Sequence, residues 1–226
     1  MTPEEIYRET RGRLIALASE LDDTSMKTPA PALPGWTVRD TYGHLAGVCA
    51  DMLDGEVEGV ATPVWTQSQV GSRARYLLSE VCEEWNRRGA DLDALLSDPA
   101  NHKFPLTLTP VDAWHHEQDI RAALGRPVDR DGEACRWIAD STIGSLSRRW
   151  PADVPSVRLV ADDGVAWTMG DAEPAASVRG SHYELARVVI GRRSRDQILA
   201  MDWTGDPEPC LDHMHAFDLP KQDLLE

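Results

Sequence analysis

DAWHHEQDIRAALGRP, residues 112–127, gathers two adjacent histidines and three carboxylates into its first eight residues, ahead of Gly125 and Pro127. At about 100° per residue on an α-helix, Asp112, His116 and Asp119 fall within roughly 60° of arc, bordering an apolar stripe of Ala113, Ile120 and Leu124. An i, i+4 pair of this kind is how one helix offers two ligands to one ion. A catalytic zinc site takes three protein ligands and keeps a position open for water or substrate. His44, beside Leu45 and four residues before Val48, borders the inward face of an earlier helix and is the candidate third ligand. The same residues admit structural readings. Asp112 stands three residues after Thr109 and fits the acidic member of a capping box. His44 and His116 fit histidines satisfied at the edge of a core, and His115 is within reach of Asp112 as a replacement ligand. Asp119 fits a group that orients a ligand from behind, or a salt-bridge partner of Arg121 or Arg126.

Helices must position these groups. Thr2-Pro3 with Glu5 predicts a capped helix over about 3–22, carried by Ile6, Thr10, Leu14, Leu17 and Leu21. After the proline-rich stretch TPAPALPG, a second box at Thr37 to Asp40 starts a helix through about residue 54, which carries His44. Val70, Leu77, Val81, Trp85, Leu92 and Leu95 predict one long helix from Gln69 to Leu96, broken by SDPANHKFP. Thr109-Pro110 opens the helix of the histidine cluster, and a further helix spans about 131–148. Beyond Trp150-Pro151 the pattern changes to short β-rich runs around an Asp-Gly turn in SVRLVADDGVAWTMGD, a strand-like ASVRG, and a return to helix in SHYELARVVIGRR. The expected organisation is α+β: a helical bundle over 1–150 and a smaller mixed domain over 151–226.

Bulk properties exclude several functions. Thirty-eight acidic against 23 basic residues give a net charge of −15, which opposes binding to nucleic acid and to anionic membrane surfaces. There is no apolar run of membrane-spanning length, and MTPEEIYRETRGRL is charged where a signal peptide would be hydrophobic, so a soluble, cytoplasmic protein is expected. Cys49, Cys82, Cys135 and Cys210 form no CxxC pair and read as reduced core thiols.

Two stretches carry a family resemblance. PGWTVRDTYGHLAG, residues 34–47, resembles the first signature of DinB-like proteins, in particular the mycothiol-dependent maleylpyruvate isomerase family of actinobacteria. DAWHHEQDIRAALGRP resembles that family's second signature, D-x-W-x-H-x-Q-D-I-R-x-A-L-G. GSHYELARVVIGRR, WTGDP and the final DLLE are similar to its C-terminal domain, itself similar to sterol carrier proteins. The resemblance implies a DinB-like four-helix bundle of up-down-down-up type, followed by a small α+β domain. It also implies a divalent metal, usually zinc, held by His44, Asp112 and His116, with mycothiol as thiol cosubstrate. One departure stands out: aspartate occupies position 112, where the characterised isomerases use glutamate. The shorter arm leaves the metal's identity and occupancy open.

A zinc-held thiolate adds to an activated alkene, giving cis/trans isomerisation if the sulfur leaves again and thiol transfer if it stays. The expected partners are a small electrophile and a thiol, on a monomer or homodimer. In so acidic a protein, cationic groups for the substrate must be local. Arg192 and Arg193 after Gly191 are the candidates, with a C-capping arginine pair as the plain reading. Trp36 is a candidate pocket wall, or a hydrophobic staple ahead of its helix. A thiol-independent hydrolytic or cyclising metalloenzyme and a non-catalytic small-ligand carrier are the alternatives.

Overall fold

A computed structural model describes residues 1–127 and 130–226. The chain is α+β and divides into two compact units, Met1–Val128 and Asp129–Leu225.

The first unit is a four-helix bundle with additions. Its main helices are α1 (Pro3–Ala18), α3 (Val38–Asp54), α5 (Leu78–Ser97) and α6 (Leu108–Ala123); α2 (Asp23–Met26) and α4 (Pro63–Arg73) are shorter. Contacts run α1 to α5, α5 to α3, α3 to α6 and α6 back to α1, a closed ring around one core. Leu14, Tyr42, Leu45, Trp85, Leu92 and Ile120 fill that core. Two aromatic polar atoms in it find partners: Trp85 Nε1 donates to Tyr7 Oη at 2.8 Å, and Tyr42 Oη donates to the Leu14 carbonyl at 2.8 Å.

Both predicted capping boxes form, Thr2 with Glu5 and Thr37 with Asp40. The first helix stops at Ala18, short of the expected residue 22. The expected Gln69 to Leu96 helix is two helices. The chain turns between Arg73 and Leu78, where the Glu80 carboxylate accepts from the Leu77 amide at 2.7 Å and caps α5. Leu77 is 68% exposed. A helical spacing of apolar residues therefore runs on through a break, because Leu77, the member of the set at the break, is not in the core.

The second unit begins earlier than expected. Its helix α7 (Glu133–Ser147) falls in the 131–148 region assigned above to the bundle, but Ala139, Ile143 and Leu146 bury in the same cluster as the sheet residues Val157, Leu159, Met169 and Val178. The division thus lies at 128/129 and not near 150. An amphipathic helix has an apolar stripe that does not itself say which core receives it. The sheet has the order β2-β1-β3-β4, from β1 (Val157–Ala161), β2 (Ala166–Met169), β3 (Ala176–Gly180) and β4 (Asp202–Gly205). β1 and β2 form the expected hairpin, with Gly164 at φ +92°; β1 and β3 pair parallel and β4 is antiparallel to β3. Helices α8 (His182–Val189), α9 (Arg195–Leu199) and α10 (Glu208–Leu211) complete the unit. Among the described residues no helix is long and apolar enough to cross a membrane.

Candidate metal centre

Three helices of the first unit build the centre. The Thr37 cap fixes the start of α3 and places His44 two turns in, where it is buried. Helix α6 begins at Leu108, and the Thr109 hydroxyl donates back to the Leu106 carbonyl at 2.9 Å. Thr109 is therefore inside the helix and caps nothing, which removes the capping-box reading of Asp112. The roll of α6 against α1 is set by Glu117, fully buried, which accepts from Arg13 Nε and Nη2 at 2.9 and 2.6 Å and from Arg121 Nε at 3.0 Å. Arg126 pairs with Glu20. Both arginines are thus occupied elsewhere, and Asp119 meets His116.

That roll brings Asp112 and His116 to His44. Asp112 Oδ1 lies 3.3 Å from His116 Nε2, and Asp112 Oδ2 lies 3.5 Å from His44 Nε2. One donor atom from each of the three residues falls within 4.8 Å of the others. The imidazoles face each other edge to face, with centroids 5.0 Å apart. Behind them, His116 Nδ1 meets Asp119 Oδ2 at 3.0 Å, and His44 Nδ1 meets Gln69 Oε1 at 2.7 Å. A carboxylate oxygen and an amide carbonyl only accept, so each Nδ1 carries the proton. When the rings are neutral, as metal binding requires, both Nε2 lone pairs are thereby directed to the Asp112 side.

The residues present fit a divalent ion. Each oxygen of Asp112 approaches a different imidazole, at 3.3 and 3.5 Å, and one donor atom from each of the three residues lies within 4.8 Å of the others, close enough for a modest closure onto one ion whose ligands stand at about 2.0–2.2 Å. Asp112 Oδ2 is buried without a hydrogen-bond partner. An unsatisfied buried carboxylate oxygen costs free energy that a cation removes. Two imidazoles and one carboxylate are also the donor set of open zinc sites.

Charge is strongly coupled in this cluster. Burial opposes ionisation of Asp112, but the imidazoles of His116 and then His44 outweigh it and hold the carboxyl well below the usual carboxylate range. Burial likewise opposes a charged His116, yet Asp112, and behind it Asp119, push its imidazole up to about 9. Without metal, the proton on His116 stands in for the cation.

The aromatic surroundings include one expected residue and one unexpected. Trp36, at the end of a loop tied by the Ala30 amide to the Trp36 carbonyl at 2.9 Å, sets its ring 5.1 Å from His44 and 6.4 Å from His116. Trp65 on α4 stands edge-on to His44 at 6.5 Å. His115 turns to Trp114, 5.1 Å away, and does not join the triad. Arg192 and Arg193 belong to the second unit, where Arg193 Nε and Nη2 donate to Glu184 at 2.7 and 2.8 Å, so that its guanidinium is committed to a carboxylate. Gln69 and Trp65 were not legible as site residues because the apolar spacing puts Gln69 at the start of one long helix rather than within a separate α4 that packs on α3. The small residue Gly47, three positions after His44, was the available signal of a close neighbour.

Comparison with known proteins identifies the family. The family model described as the mycothiol maleylpyruvate isomerase N-terminal domain matches residues 7–121, just over half of the chain. The chain belongs to that family. The region matched to the maleylpyruvate isomerase domain contains Trp36, His44, Gln69, Asp112, His116 and Asp119. Two solved structures, a mycothiol-dependent maleylpyruvate isomerase and a point mutant of it, each superpose with a TM-score of 0.57 at 13% identity, over 92% of this chain and 94% of theirs. At that identity the likeness is one of fold. No curated protein sequence matches the chain.

Proposed function

We propose that this member of the maleylpyruvate isomerase family is a metal-dependent enzyme that uses mycothiol to isomerise, or to transfer sulfur to, a small electrophilic alkene, with His44, Asp112 and His116 as the metal ligands. The observation that carries the reading is the three-donor group with the orphaned Asp112 Oδ2, in a chain of this family. Zinc bound there with an open position would lower the pKa of an incoming thiol, so that it reacts as thiolate at neutral pH. Asp112 is the only anion of the donor set, which leaves one positive charge of a dication for one thiolate to neutralise. Asp119 and Gln69 hold the protons of His116 and His44 on Nδ1 and keep each Nε2 available. Trp36 and Trp65 flank His44 with apolar rings that exclude water from one side.

The chemistry balances without an external reagent. The thiol gives up its proton, and addition of its sulfur to one alkene carbon forms the C–S bond while the π pair moves into the conjugated carbonyl as an enolate; rotation about the new single bond and return of that pair expel the same sulfur and leave the trans alkene. If the adduct is kept, the enolate carbon takes up the proton the thiol released, and the product is a thioether.

The test is turnover of maleylpyruvate, the compound in the name of the solved relatives, by zinc-loaded protein with and without mycothiol, followed by the ultraviolet absorbance of the conjugated product. Turnover should require the thiol and should fall by about a hundredfold or more in His116→Ala. Metal-dependent turnover of an electrophile without thiol contradicts the thiol mechanism in favour of a hydrolytic or cyclising enzyme. Bound metal with no thiol-dependent turnover of maleylpyruvate or of other activated alkenes contradicts the proposed thiol addition.

A further inference from the structure

Behind His44 lies an arrangement that the donor set alone does not require. Gln69 is 98% buried, accepts through Oε1 from His44 Nδ1 at 2.7 Å and donates through Nε2 to Asp51 Oδ2 at 2.6 Å. An amide is nearly symmetric in shape, and flipped it would present Nε2 to the imidazole. His44 Nδ1 would then have to accept, moving the ring proton to Nε2, the atom that faces Asp112. The Asp51 carboxylate forbids this flip, because a carboxylate has no proton to give to Oε1. The approach is also built into the backbone. A Cβ on Gly47 would lie 2.4 Å from Gln69 Cβ and 2.6 Å from its Cγ, so that Gly47 is the opening in α3 through which the glutamine reaches the histidine.

We propose that Asp51 and Gln69 form a positioning relay that sets the tautomer and orientation of His44, with Asp51 dictating which end of the amide the imidazole sees. The role of the tautomer in metal binding rests on the reading of His44 as a ligand; the relay itself does not. The two imidazoles are thus held differently, His116 directly by a carboxylate and His44 by a carboxylate acting through an amide. Neither Asp51 nor Gln69 is itself one of the three donors: Gln69 acts through His44, and Asp51 through Gln69.

The experiment reads the tautomer and the affinity separately. In full-length, metal-free protein with ¹⁵N-labelled histidine, above the pH at which the rings are charged, long-range ¹H–¹⁵N spectra should place the His44 proton on Nδ1. In Asp51→Asn, whose side-chain amide can donate to Oε1, the Nε2–H form of His44 should appear. Gln69→Leu removes the acceptor and should do the same. Zinc affinity, measured by competition with a fluorescent chelator, should fall by about 10- to 100-fold in Gln69→Leu and by less in Asp51→Asn. A merely structural role would lower the melting temperature of the metal-free protein and leave the tautomer alone. An unchanged tautomer in both folded variants overturns the relay. A shifted tautomer with zinc affinity equal in wild type, Gln69→Leu and His44→Ala upholds the relay and overturns His44 as a ligand.

Discussion

At the scale of single residues, the centre is a set of protonation and hydrogen-bond constraints that converge on Asp112. Its two oxygens face different imidazoles, and Oδ2 has no hydrogen bond. Because Asp112 and Asp119 push His116 up to about 9, against an ordinary imidazole value of about 6.5 in the unfolded chain, the charged imidazole stabilises the metal-free fold. The sign follows: that contribution is fully present below about pH 6.5 and is lost as the pH rises through 9. Thermal melts of chelator-treated protein should therefore show a falling melting temperature between pH 6.5 and 9, with most of the slope gone in Asp112→Asn. A flat profile for the wild type would show that His116 carries no such proton. Zinc affinity should run the other way and rise over the same interval, since the metal must displace the proton. This part of the site was legible in sequence, because Asp112 and His116 share a helix and i, i+4 spacing needs no knowledge of the fold. Asp119 was legible only as one of two alternatives, a group behind a ligand or an arginine partner, and Glu117 not at all, since which of two nearby carboxylates takes which arginine depends on the roll of α6 against α1.

At the scale of elements, α3 matters as much for what it omits as for what it carries. His44 supplies a donor, and Gly47 one turn later admits α4. Gly47→Ala should force Gln69 and α4 outward. A loss of about 1–3 kcal/mol is expected in denaturant unfolding, together with weaker zinc binding. Stability and affinity both equal to wild type would mean that α4 yields freely and that its close approach is not needed. The capping boxes of α1 and α3 and the hairpin turn at Gly164 were readable because each is a local device, complete within a few residues. The break between α4 and α5 and the attachment of α7 were not local. Leu77 continues an apolar spacing while lying exposed, and the stripe on α7 fits a helical core as well as the sheet that receives it.

At the scale of the whole molecule, family and site coincide. The matched domain ends at residue 121, inside α6, and encloses all three donor residues. A ligand that binds only the folded chain stabilises it by mass action, about 2.7 kcal/mol at a hundredfold excess over its dissociation constant. Zinc should therefore raise the melting temperature of the chelator-treated protein, and this rise should vanish in His44→Ala. The measurement that bears most directly on the central claim is metal stoichiometry: equilibrium dialysis of the full chain against buffered zinc, then elemental analysis, for wild type, His44→Ala, Asp112→Ala and His116→Ala, each shown folded by circular dichroism. One zinc per wild-type chain, lost from all three variants, is the predicted result; a wild type that takes up no metal, or variants that keep a full equivalent, would contradict it.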